Sequence, residues 1–234
     1  MTDPATLHLR PAAPLAERVL LPGDPHRALV VAQALLDRPR MFNHNRGLWG
    51  YTGTAQDGEP LTVQATGMGG PSAAIVVEEL IDLGATTLVR IGTCGALRDG
   101  LELGELVAAE RVIGADGTSA ALGATSPLEP EQSLTAALTA GGIQAVTAVS
   151  TDLFYDPRSD LPASWLASGA DVVEMEAATL LAVAGRRRVA AAVVLGVTDL
   201  LADGGRRRIP HGEVEPLGVR LGEAGWTALR RAVD

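Results

Sequence analysis

The sequence contains no lysine; its 19 Lys/Arg positions are all arginine. Schiff-base chemistry and a Walker-type phosphate loop are thereby excluded, since both need a lysine amine. Cysteine occurs once, as Cys94, so no disulfide can form within the chain and a reducing, cytoplasmic setting is expected. Aromatic residues are 3% of the total, which makes the adjacent pair Phe154-Tyr155 conspicuous. No apolar run is long enough to span a membrane, so no membrane partner is expected, and the leading MTDPATLHLRP lacks the basic region and apolar core of a signal peptide. Positive charge is in deficit overall, with a formal net charge of −9. That argues against a broad basic surface for a nucleic-acid polymer, while an arginine pocket for one phosphate stays compatible. No Cys/His cluster points to a metal, and no organic cofactor is expected.

What is present is a chain of 234 residues with 47% hydrophobic content and no linker, which suits a single α/β domain spanning residues 1–234. The densest stretch is LTVQATGMGGPSAAIVVEELIDLGATTLVRIGTCGAL, residues 61–97, which reads as strand, helix, strand with a glycine turn after each strand. Gly67-Met68-Gly69-Gly70 is the first turn, Pro71 opens the helix and Gly84 ends it. Thr86 to Ile91 is an apolar strand broken by Arg90 just before Gly92-Thr93-Cys94-Gly95, read as the second turn. An arginine at the C-terminal end of a parallel strand, followed by glycines and a hydroxyl, occupies the anion-binding position of open α/β sheets.

The same position recurs along the chain. Arg18 to Leu21 is a short strand, and Pro22-Gly23-Asp24-Pro25-His26-Arg27 turns it into a helix to about Leu36, with Asp24 as cap and Arg27 near the positive end of the helix dipole. Phe42 to Gly53 reads as an extended segment and hairpin carrying Arg46. Residues 114–130 read as a loop. Ala145 to Ser150 is a strand leading to Thr151-Asp152-Leu153-Phe154-Tyr155, where the aromatic pair is either a stacking wall or a core plug. Asp171 to Met175 is a strand in which Glu174 and Glu176 project to one side and Met175 to the other. Buried glutamates need hydrogen-bonding partners, which a sugar diol could supply, but acids at a helix N-terminus read equally well. Val189 to Val197 ends in Thr198-Asp199, so Asp199 is either a strand-end acid or a helix cap. Residues 202–215 read as a mobile loop, followed by a C-terminal helix to Val233. The triplets Arg186–Arg188 and Arg206–Arg208 read as solvated loops.

Taken together, LPGDPHRA, FNHNRGLWGYTG, TGMGGPSAAIVVEEL, VRIGTCGAL, STDLFY, VVEMEAA and GVTD resemble, in that order, the motifs of the nucleoside phosphorylase-I family, on the side of its bacterial hexameric purine enzymes. The resemblance covers Leu21 to Asp199. It implies an α/β fold around a mixed, partly barrel-like central sheet flanked by helices. The implied reaction is phosphorolysis of a purine nucleoside, with inorganic phosphate as co-substrate and no cofactor. On matching positions it implies phosphate binding by Gly23, Arg27, Arg90 and Thr93, with Arg46 from a neighbouring subunit of a homohexamer built as a trimer of dimers. It implies ribose binding by Met68, Met175 and Glu176, with the neighbour's His8 on the 5′-hydroxyl. Phe154, Val173, Thr198 and the backbone of Cys94 and Gly95 would surround the base, Glu174 would lie at its sugar edge, and Asp199 would protonate the leaving purine.

Two positions depart from the pattern. Thr93 stands where the purine enzymes carry serine and the pyrimidine enzymes threonine. The arginine of the last helix that approaches the acid has no clear counterpart, leaving Arg208 and Arg220 as candidates, with Arg208 preferred. Thr93 and Arg158 keep a uridine phosphorylase open as an alternative, although the accompanying glutamine is missing. A water-using nucleosidase would leave Arg27, Arg46 and Arg90 without a dianion. The unmatched arginine also keeps open a nucleoside-binding module with incomplete catalytic machinery.

Overall fold

The computed structural model describes residues 6–201 and 205–231. Two parallel strands form its axis, β5 (Thr87–Ala96) and β9 (Ala190–Leu200), paired from Thr87↔Ala190 to Ala96↔Leu200. Both are nearly all apolar because each is covered on both faces. Alternate β9 residues enter separate cores: Ala191, Val193, Leu195 and Val197 join one, Ala192 and Val194 the other.

From this pair the sheet closes on one side and opens on the other. On the closed side β9 pairs with β6 (Leu106–Ala115), β6 with β7 (Gln144–Thr151), β7 with β8 (Val172–Glu174), and β8 antiparallel with β5. These five strands make a ring, the partly barrel-like sheet expected from the resemblance. On the open side β5 pairs with β1 (Arg18–Leu21), followed by β4 (Pro60–Gln64), β3 (Gly50–Ala55) and β2 (Leu36–Asn43). A short β10 (Arg207–Arg208) lies antiparallel on β9.

Helices α2 (Gly70–Asp82) and α6 (Ala177–Arg187) cover one face. The other is covered by α1 (Pro25–Leu35), α4 (Gln132–Thr139) and α7 (His211–Arg231). The small helices α3 (Gly117–Ala121) and α5 (Leu161–Ala167) sit in connections. None of the described helices is long and apolar enough to cross a membrane.

Several sequence expectations need correction. Gly92 to Gly95 is not a turn: β5 runs on to Ala96, because β9 and β8 supply hydrogen-bonding partners on its two sides, with one irregularity between Cys94 and Gly95. The 114–130 segment holds the end of β6 and helix α3, capped by the Asp116 carboxylate on the Ser119 amide. Chain pairing begins at Leu36, before the expected Phe42, because β2 starts where α1 stops. Asp199 lies within β9 and caps no helix. Arg186 and Arg187 form the last turn of α6, where Arg187 pairs with Glu78 and Asp82 of α2. Of the expected 202–215 loop, residues 202–204 lie outside the described residues; the remainder contains β10 and the start of α7. The last residues of the expected terminal helix, 232–233, also lie outside them.

Candidate active site

The site forms where the C-terminal ends of β1, β4, β5, β8 and β9 meet. After β4, Gly67 and Gly69 adopt φ of 78° and 87°, which makes the turn a glycine position and aims the Gly69 amide inward, where it donates to Glu176 Oε1 at 2.6 Å. After β1, Asp24 caps α1 through the His26 amide at 2.9 Å, as expected. Arg27 then sits in the first turn of α1, its Nη1 3.5 Å from the Ile91 carbonyl. Burial, reinforced by the nearby Arg90 charge and opposed by Asp24 and Glu176, draws Arg27 below its ordinary pKa.

Arg90 is the centre of the arrangement. Its Nε donates to Glu174 Oε2 at 3.0 Å, and its Nη2 donates to Glu176 Oε2. Glu174 and Glu176 do share a side, with the guanidinium bound to both, but not by strand alternation: β8 ends at Glu174 and Glu176 is the N-cap residue of α6. Two residues along, Gly92 leaves the space that the guanidinium fills: a Cβ there would stand 2.7 Å from Arg90 Cζ. Burial alone would lower the Arg90 pKa, but the charges of Glu176 and Glu174 outweigh it and hold it above the ordinary value. Burial raises the pKa of Glu174, with Arg90 opposing. The third guanidinium nitrogen, Nη1, is buried and has no partner among the described residues. An unmatched buried N–H is costly, so it marks where an acceptor belongs.

Asp199 stands on the neighbouring strand, opposite Gly95 in the β9–β5 register. Thr198 Oγ1 donates to Asp199 Oδ2 at 2.9 Å and lies 3.3 Å from the Cys94 carbonyl. Cys94 is buried beneath, where its thiol pKa is pushed up by burial, and Val173 faces Gly95 across the β8–β5 pairing. Asp199 Oδ1 receives Arg206 Nε at 2.8 Å, whereas Arg208 Nε remains at 3.7 Å. Arg206 therefore makes the hydrogen bond to the acid, and the expected Arg208 makes a longer ion pair with it. Arg220 instead donates to the Gly104 carbonyl at 2.9 Å.

Arg206 also lies over the Phe154 ring, its Cζ 4.4 Å from the centroid. Phe154 is 49% and Tyr155 88% exposed, so the pair is a wall and not a core plug; their rings meet edge to face. Met68 is 88% exposed on the glycine turn, and Met175, Thr93 and Gly95 are half-buried along the rim. Arg158, the residue behind the uridine alternative, is engaged by Asp156 through two hydrogen bonds of 2.8 and 2.6 Å.

Residues 17–231 match the model of the Phosphorylase superfamily. The chain belongs to that superfamily. A DeoD-type purine nucleoside phosphorylase of Jannaschia sp. (strain CCS1) is 38% identical to it over 84% of this chain and 88% of its own length. That of Roseobacter denitrificans (strain ATCC 33942 / OCh 114) is 36% identical over 81% and 85%. A third, of Clostridium perfringens (strain ATCC 13124 / DSM 756 / JCM 1290 / NCIMB 6125 / NCTC 8237 / Type A), is 35% identical over 80% and 83%.

Two expected residues of this superfamily chain stand apart from the cluster. Exposed Arg46 occupies a left-handed position (φ 57°) in the 44–48 turn, and His8 pairs through Nδ1 with Glu79 at 2.7 Å. They are tied to each other by Asn45 Nδ2, which donates to the His8 carbonyl at 2.8 Å. Among the described residues no hydrogen bond or ion pair joins either side chain to the Arg90 group. Sequence reasoning missed Ser150, buried behind Glu174, and Arg206, which hydrogen-bonds Asp199 alongside the longer Arg208 ion pair. The signals were that Ser150 is the first residue of STDLFY and that Arg206 follows Asp199 closely in sequence.

Proposed function

We propose that this protein catalyses the phosphorolysis of purine nucleosides, including 2′-deoxynucleosides, giving free base and a pentose 1-phosphate. The observation that carries the reading is the buried Arg90 Nη1, without a partner among the described residues, on a guanidinium that is bound to Glu176 and close enough to Arg27 to lower its pKa. The names of the relatives point the same way. In this reading Gly23, Arg27, Arg90 and Thr93 hold phosphate, and Met68, Met175 and Glu176 hold the sugar. Val173, Thr198 and the Cys94-Gly95 backbone line the base pocket, with Phe154 as its wall.

The chemistry follows from that order. A phosphate oxygen forms the new bond to the anomeric carbon while the bond to the purine nitrogen breaks. Arginines on the dianion hold the nucleophile in line. Glu176 accepts from the sugar hydroxyls and steadies the positive charge that develops on the ring. The leaving purine takes a proton at N7 from Asp199, which Arg206 and Thr198 orient from two sides. Inorganic phosphate is a substrate and no cofactor enters. Self-association as a homohexamer completes the site, with Arg46 and His8 reaching a neighbour's pocket as one tied unit. The enzyme works in the cytoplasm, where its single buried thiol stays reduced.

The test is to assay inosine, adenosine and uridine with and without phosphate. Purine cleavage that requires phosphate and outpaces uridine is the expected result. Equal cleavage in phosphate-free buffer, or preference for uridine, would overturn it.

A further inference from the structure

The resemblance puts Glu174 at the sugar edge of the base. The geometry points elsewhere: we propose that Glu174 is a positioning residue for Arg90, backed by Ser150, and does not touch the nucleoside. This rests on reading Arg90 as a phosphate donor. A carboxylate offers about four acceptor positions. Glu174 Oε1 receives the Ser150 hydroxyl and the Ala177 amide at 3.0 Å; Oε2 receives Arg90 Nε at 3.0 Å, the Glu176 amide at 2.8 Å and the Ala177 amide at 2.9 Å. The side chain has 0% exposure. A ligand would find neither surface nor free lone pairs on it.

What those contacts fix is a direction. A guanidinium is planar, so two tethered nitrogens determine where the third one points. Glu174 holds Nε, Glu176 holds Nη2, and Nη1 is left buried without a partner among the described residues, as the nitrogen available to an anion. Glu176 must also serve the sugar, so Glu174 is the tether that stays constant through a reaction. Behind it, Ser150 is itself fully buried. Its hydroxyl donates to Glu174 and accepts the Ala178 amide at 2.9 Å, so its single proton is committed to the carboxylate. Ser150, Glu174 and Arg90 stand on β7, β8 and β5, three consecutive strands of the ring, with Ser150 and Glu174 directly paired in register. The relay therefore crosses three hydrogen-bonded strands of the closed ring.

Three variants test this: Glu174→Gln, which turns one acceptor into a donor against donors; Ser150→Ala, which removes the backing; and Gly92→Ala, which displaces Arg90 from the opposite side with both carboxylates intact. Phosphate binding to the unliganded protein is read by thermal shift and calorimetry, and KM for phosphate and for inosine by steady-state kinetics. Glu174→Gln should raise the phosphate Kd and KM by about tenfold or more, as for loss of a charge-assisted hydrogen bond. The inosine KM and the inosine-to-adenosine ratio should stay within about twofold of wild type. Gly92→Ala should show the same split, and Ser150→Ala a smaller one in the same direction; these two keep the test open if Glu174→Gln does not fold. A change in inosine KM or in base ranking with phosphate binding unmoved would overturn the proposal. If phosphate stabilises wild type and Glu174→Gln equally, the proposal fails while the phosphorolysis reading stands. If phosphate does not bind wild type at all, the phosphate role of Arg90 fails first and takes the proposal with it.

Discussion

Two arginine–carboxylate groups, one around Arg90 within β5 and one around Asp199 near the end of β9, are built differently. The Arg90 group is closed: side-chain exposure is 5% for the arginine, 0% for Glu174 and 9% for Glu176. The Asp199 group is open: the acid is 8% exposed, but its partners Arg206 and Arg208 are 38% and 68% exposed, and Arg206 leans on a half-exposed Phe154. A dry cluster with saturated acceptors holds one geometry. A solvated arginine on a rim can move at little cost. Under the proposed phosphorolysis, the nucleophile end would thus be set before substrates arrive, while the leaving-group end could adjust to the base.

The sharpest way to break this contrast is Asp199→Asn. It should reduce kcat for inosine by ~10²–10⁴ with phosphate-induced thermal stabilisation intact. Loss of phosphate binding in that variant would mean that the two ends are not separate. Arg90→Met comes next. Leaving two carboxylates buried beside an apolar side chain should cost about 3–5 kcal/mol in denaturant titration, whereas Arg206→Met should cost under ~1 kcal/mol because the arginine is itself part-exposed and Thr198 and Arg208 remain beside the acid. Equal costs would erase the closed-versus-open distinction. Phe154→Leu should lower kcat/KM for purine nucleosides by roughly threefold to tenfold through lost stacking and cation–π contact, without moving phosphate affinity.

The smallest effect belongs to Glu79, away from both groups. Burial would raise its pKa, but hydrogen bonds from the Leu9 amide and from the His8 ring and amide outweigh that and hold it below the ordinary carboxylate value. Since its folded pKa lies under its unfolded one, its stabilising contribution is complete above the unfolded value and is lost as pH falls through the folded one. Amide exchange of residues 7–9 should therefore speed up below about pH 4, and Glu79→Gln should flatten that dependence.

The parts of this contrast that were legible in the sequence are those set by local pattern. Arg90 breaks an apolar strand, Asp199 ends one, and Asp24-Pro25 opens a helix. Each follows from cap or strand position within a few residues. The closure of the ring was not legible from pattern, because it depends on β8 and β9 meeting β5 from distant parts of the chain, and those pairings together keep Gly92 to Ala96 extended. The saturation of Glu174 was hidden for the same reason: its backing hydroxyl, Ser150, arrives from another strand. Arg206 and Arg208 are separated only by register. β10 pairs Arg208 with Asp199 backbone to backbone, while Arg206, just before the strand, is the side chain that reaches both the acid and Phe154.

The most direct measurement is product identity by phosphorus NMR during inosine turnover. Phosphorolysis predicts ribose 1-phosphate formed one for one with hypoxanthine and no hypoxanthine when phosphate is omitted. Free ribose appearing at an undiminished rate without phosphate would contradict it.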